Sequence, residues 1–298
     1  MGRKAITLDE QIQLLQNRGM FIADKEKAKE VLLDVGYYRL GFYWFPFEKK
    51  YPNKQNRIHE FKNGTNFDDV VKLYYFDFKL RNLLLKYLIR IEINFRTCLT
   101  YYTSNLYKES PTWFVDPQVV SRKQIAEFDK TVYTSKFKGN SAIALHHKKY
   151  INDKYAPAWK TLEFMTLGNI IFLYQSLNNE ELKHTIASHY KINRLGVFDN
   201  YLKRILDIRN ACAHGNILFD LTPSSSICKG PAMMKDLAKN QNLNGVLKIV
   251  LYMIKQVSVN RHNDLVNEIR TLIAEYTQKS EVLRCIIQDI SGIDKVFV

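Results

Sequence analysis

Cysteine is scarce in this chain, and what there is lies scattered. Cys98, Cys212, Cys228 and Cys285 include no C-x-x-C pair. That excludes a disulfide framework and a zinc ribbon, and it fits buried or incidental thiols in a reducing cytoplasm. Glycine and proline are also thin, with 12 and 7 in 298 residues. Too few turn residues are present for a sandwich or barrel of many short strands, so long helices with few breaks are expected. Long apolar runs are missing as well. The most apolar late stretch, Val246 to Val259, is interrupted by Lys248, Lys255 and Gln256, too short and too polar to span a bilayer. No membrane association is expected. The start, MGRKAITLDEQIQLLQ, has no apolar run of a secretory signal, and Ile6 stands where a myristoylation pattern needs Ser or Thr. The expected location is therefore cytoplasmic. The seven His are dispersed: His146 and His147 are adjacent, and His184 and His189 are five apart. Neither pair has the i, i+4 spacing that sets two ligands on one helical face, so no metal site and no cofactor are expected.

Negative charge is the last shortage. Thirty Asp and Glu face 44 Lys and Arg, leaving a formal charge of +14. Such a chain attracts polyanions at long range: nucleic acid, an anionic membrane or an acidic partner. A lysine-rich helical surface can also be merely solubilising. Hydrophobic residues at 46% are ample for a core, and a chain of this length buries about 75% of its unfolded surface.

Local signals place the helices. Thr7-Leu8-Asp9-Glu10 reads as a capping box, with Gly19 as a stop. Asp24 opens a second helix that ends at Gly36. Residues 36–47, GYYRLGFYWFPF, are unusually aromatic. They read either as a packing plug or as a base-stacking platform with Arg39 on phosphate. From Phe67 a helical pattern runs to about Tyr107. Asp77 and Arg81 are i, i+4 within it, and so are Glu92 and Arg96. Glu92 falls on a largely apolar face, where a carboxylate needs a partner, and Arg96 is the simplest one. Residues 130–160 carry seven Lys against the single acid Asp153, interleaved with Tyr133, Phe137, Tyr150, Tyr155 and Trp159. This stretch reads either as a backbone-tracking nucleic-acid surface or as a solvated loop anchored by its aromatics. Helices follow near 159–177, 180–191 and 197–213, and again over 242–290. TPSSSICKGP (222–231) reads as the clearest flexible loop. No repeat and no strand series is visible.

One segment holds the residue types of RNA cleavage. In Arg209-Asn210-Ala211-Cys212-Ala213-His214-Gly215, Asn210 and His214 share a helical face and Arg209 lies about 140° away. Imidazole titrates near neutrality and can move protons at a ribose 2′-hydroxyl and a leaving 5′-oxygen. The guanidinium fork matches phosphate oxygens as charge builds, and an amide can orient either group. The plainer alternative is a capping His beside an ion-paired Arg, with Asp207 or Asp220 as its partner.

Four segments together resemble a known family. They are residues 36–47; the run from Phe67 through Asp77, Arg81 and Glu92 to Arg96-Thr97; Pro157-Ala158-Trp159 through Glu163 to Gly168; and Arg209 to His214. The chain resembles the Abi-like (abortive infection) bacterial proteins of the AbiD/AbiF type, whose core looks like the HEPN superfamily. The resemblance implies an all-α, HEPN-like helical bundle with extra N- and C-terminal helices. Its expected division is 1–60, 61–221 and 222–298. It implies a metal-independent endoribonuclease of phage defence or a toxin–antitoxin system, leaving a 2′,3′-cyclic phosphate. Carried over, His214 is the acid/base, Arg209 the phosphate ligand and Asn210 the orienting residue, with Glu92 and Arg96 supporting them. Arg39, Lys136, Lys138, Lys148, Lys149 and Lys154 are the RNA-binding candidates. The implied partners are RNA, a second copy of the chain, and an RNA or protein antitoxin. Relatives commonly carry a second His or basic residue after the motif His, whereas Gly215 and Asn216 follow here. The alternative is a non-catalytic HEPN-like module that binds RNA or protein.

Overall fold

The computed structural model describes residues 4–55, 57–235, 237–278 and 280–293. Among them the chain is all-helical, with four isolated bridging pairs and no strand. The α-helices in chain order are α1 (Leu8–Asn17), α2 (Lys25–Val35), α3 (Tyr37–Tyr43), α4 (Phe67–Leu106), α5 (Arg122–Thr131), α6 (Ser135–Lys138) and α7 (Ser141–Lys149). They continue with α8 (Ala158–Thr161), α9 (Leu167–Gln175), α10 (Glu180–His189), α11 (Leu195–Ala213), α12 (Leu243–Val257), α13 (Val259–Thr277) and α14 (Glu281–Cys285). No helix among the described residues is long and apolar enough to cross a membrane.

Helix starts follow local chemistry. The Thr7 hydroxyl accepts from the Glu10 amide while the Glu10 carboxylate accepts from the Thr7 amide at 2.7 Å, closing the expected capping box. Asp24 caps α2 through the Lys27 amide, and α2 stops at Gly36, whose φ of 90° suits a residue without Cβ. The residue ladder of α4 explains its length. Val70, Leu73, Phe76, Leu80, Leu84, Leu88, Ile91, Phe95 and Leu99 recur at three- and four-residue steps and are all buried.

The chain forms two compact units. The first comprises Met1–Leu83, Ala211–Leu221 and Val266–Val298. Its core holds Leu15, Leu40, Tyr43, Trp44, Phe76, Ile269 and Ile273. The 36–47 segment is largely a plug here: Leu40, Tyr43, Trp44, Phe45 and Phe47 are buried, while Tyr38 and Phe42 face solvent. The second unit comprises Leu84–Asn210 and Thr222–Leu265. Phe95, Tyr174, Tyr190 and Phe198 pack there in an aromatic cluster with ring centroids 5.3–6.5 Å apart.

The 222–231 segment differs from its composition. Arg204, wholly buried on α11, reaches the backbone and hydroxyl of Ser225 and the hydroxyl of Ser224 (3.2 Å), and pairs with Asp207 at 3.0 Å. Arg194 donates to the Lys229 carbonyl, and the Asn200 amide donates to Ser226. A run of Ser signals flexibility by composition alone. Here a buried cation needs acceptors, and this strand of chain supplies them.

Candidate functional site

The last turn of α11 carries Arg209 and Asn210, and His214 follows its final residue. Helix α11 ends in a full Schellman motif. The Gly215 amide donates to the Cys212 carbonyl and the Asn216 amide to Ala211 at 2.8 Å, with Gly215 at φ 69°. His214 is thus the C-cap residue. It is solvent-exposed. Gly215 has a second reason to be glycine, because a Cβ there would sit 3.3 Å from the Arg39 guanidinium.

In the second unit, Arg209 is tied to α4. Its Nε donates to one oxygen of Glu92 at 3.2 Å, and its Nη1 donates to the Asn210 side-chain carbonyl at 3.3 Å. The other Glu92 oxygen accepts from Arg96 at 2.9 Å, and Arg96 also donates to the Met165 carbonyl at 3.1 Å. Glu92 and Arg96 are each 8% exposed. A carboxylate that deep needs counter-charges; Arg96 and Arg209 supply them, and it in turn directs the half-buried Arg209. The structure therefore brings Glu92, Arg96, Arg209 and Asn210 together. The ion-pair partner of Arg209 is Glu92, and neither Asp207 nor Asp220. Asp207 pairs with Arg204, and Asp220 with Lys54. Spacing along one helix could not find a partner 117 positions away.

In the first unit, side chains of α3 and α4 grip the loop after His214. Arg39 of α3 donates to the Gly215 carbonyl at 2.8 Å. Arg81 of α4 donates to the Asn216 carbonyl at 3.2 Å. The Asp77 carboxylate accepts from the amides of Leu218 and Phe219 at 2.9–3.1 Å, from the Tyr43 hydroxyl at 2.9 Å, and from Arg81 at 2.5 Å. Asp77 is fully buried. Burial pushes its carboxyl up, against the pull of Arg81, the two amides and Tyr43. Asp77 and Arg81 were visible in the sequence as an ordinary helical pair. Their grip on residues 216–219 carries no local signal. Arg39 thus sets a cation against the residue that follows His214.

The lysine candidates lie apart from that loop in sequence. Lys136 and Lys138 on α6, Lys148 and Lys149 at the end of α7, and Lys154 in the following loop are all exposed. Lys154 pairs with Asp129 at 2.9 Å. Hydrogen bonds to Tyr155 and Asp129 raise its pKa, so it stays charged. The interleaved aromatics divide between the two expectations: Tyr133 is buried as an anchor, while Tyr150 and Trp159 are exposed. Among the described residues, no group of three or more His, Cys, Asp or Glu could hold a metal ion.

Fold and site together define a helical protein with an Arg-Asn-x-x-x-His motif closing one of its longest helices. Residues 30–220 match the Abi-like protein family model, almost two-thirds of the chain, and the chain belongs to that family. The name marks abortive infection, and membership suggests a part in that form of phage defence. No curated protein and no solved structure matches the chain.

Proposed function

We propose that the protein is an endoribonuclease with a HEPN-like core, cutting RNA without a metal at the α11 motif. Attack by a ribose 2′-oxygen on phosphorus breaks the bond to the 5′-oxygen and leaves a 2′,3′-cyclic phosphate and a 5′-hydroxyl. His214 serves proton transfer at one of those oxygens. Arg209, aimed by Glu92 and Asn210, meets the phosphate as negative charge grows on it. The observation that carries this reading is the Arg209 guanidinium preset by the buried Glu92 carboxylate, in a motif whose histidine, His214, is exposed. RNA is the substrate in this reading. A second copy of the chain and an RNA or protein antitoxin are its proposed partners.

The test is cleavage of a mixed-sequence RNA in EDTA by the full chain and by its His214→Ala and Arg209→Ala variants. The wild type is expected to leave cyclic phosphate ends, and each variant to lose about 100-fold or more in rate. Equal cutting by all three overturns the proposal. Salt-sensitive RNA binding without products would favour the non-catalytic module, to which the exposed lysines of residues 130–160 lend support.

A further inference from the structure

Trp159 is out of place for its type. Trp44 and Trp113 are 3% and 0% exposed, as large aromatics usually are, but Trp159 is 57% exposed at the start of α8. Three neighbouring hollows of the second unit share it. The largest, about 610 Å³, is lined by His146, Tyr150, Asp153, Lys154, Trp159 and Lys160. The next adds Leu145 and Lys149, and the third is lined by Arg96, Thr100, Tyr101, Trp159 and Glu163. Together they make a groove whose shared wall is Trp159.

The groove's chemistry is specific. Flat faces are offered by Trp159, Tyr150 (45% exposed) and Tyr101 (62% exposed). Cations flank them: Lys149 lies 5.3 Å over the Tyr150 ring and Lys154 4.8 Å over Tyr155. The buried His146 imidazole meets Asp153 at 3.1 Å and makes no hydrogen bond through Nδ1. Asn152 and Asp153 add amide and carboxylate groups able to meet a base edge. Exposed aromatics between lysines bind unpaired nucleotides, because rings stack on bases while the lysines track phosphates. At its far end the groove reaches Arg96, which shares Glu92 with Arg209.

We infer that this groove binds single-stranded RNA, with one base stacked on Trp159 and its phosphates on Lys154 and Lys160. Its service to cleavage rests on the proposed nuclease; the binding itself does not. The test uses a fluorescein-labelled 2′-O-methyl hexanucleotide, which lacks the attacking hydroxyl, so binding is read without cleavage. Because Trp159 is the exposed tryptophan, unlabelled hexanucleotide is expected to quench the protein's tryptophan fluorescence. Trp159→Ala should weaken binding about tenfold or more, and Trp159→Phe should restore most of it. Lys154→Glu with Lys160→Glu should flatten the salt dependence. Trp159 is on the surface, so unchanged helical circular dichroism is expected in each variant. Affinity of Trp159→Ala within twofold of wild type, or no quenching, overturns the inference. Saturation by AMP at lower concentration than the hexanucleotide also overturns it, in favour of a free-nucleotide site. A wild-type chain that cuts RNA in EDTA yet does not bind the hexanucleotide would sink the groove alone. Binding without cleavage would sink the nuclease alone.

Discussion

Two buried carboxylates on α4 do opposite kinds of work. Glu92 sits between Arg96 and Arg209 and sets a side chain that stays half-exposed. Asp77 binds only groups that are themselves out of water, and holds backbone in place. Removing Asp77 leaves the Arg81 guanidinium, 4% exposed, without its counter-charge and two buried amides without their acceptor. Breaking such a pair costs about 3–5 kcal/mol. Asp77→Ala is therefore expected to lower the unfolding free energy measured by urea titration by that amount. A loss under about 1 kcal/mol would show that the loop finds other partners.

At the scale of elements, much of the helix order was legible and little of the fastening was. The Thr7–Glu10 box, Asp24 with Gly36, and the apolar ladder of α4 are patterns within a few residues of one another. Local hydrogen bonding and burial suffice to read them. The need of Glu92 for a partner was also legible, from its place among leucines. Its second partner was not, nor were the Arg39–Gly215 and Arg204–Ser225 contacts. These join positions far apart in the chain, and each lone residue looks like any surface arginine. The α11 terminus lies between these cases. Gly215 marks an end in sequence, and the structure adds a left-handed φ of 69° and a guanidinium against its missing Cβ. Gly215→Ala should cost about 1–2 kcal/mol in chemical denaturation, because an L-residue is strained there. A neutral substitution would mean that the cap reforms with another backbone geometry.

For the molecule as a whole, buried phenols and thiols fix the alkaline limit of stability. Burial, with some help from the Asp77 charge, pushes the Cys212 thiol up to about 12 from 9.0. Burial likewise raises Tyr51 and Tyr201 to about 12 from 10.0. Tyr43, Tyr174 and Tyr190 are raised in the same direction. Each group holds its proton more tightly in the folded state. Their stabilising contribution is therefore complete below the unfolded values and is lost as pH climbs through 9 toward 12. The urea midpoint should fall clearly between pH 8 and pH 10.5. An unchanged midpoint would show that these side chains reach water while the chain stays folded.

The loop behind His214 also bears on how the chain is made. Its fasteners come from residue 39, 176 positions before Gly215, from residues 77 and 81, and from Ser291, whose hydroxyl donates to the Phe219 carbonyl at 2.8 Å. Contacts of such long sequence separation form late, after the entropy of closing large loops has been met. A ribosome that has just added His214 still has about 77 residues to add before Ser291 exists to complete the hold. The motif is thus spelled early and secured last. For a protein whose proposed activity endangers its own host, the unfinished chain lacks part of what fixes the loop beside the motif.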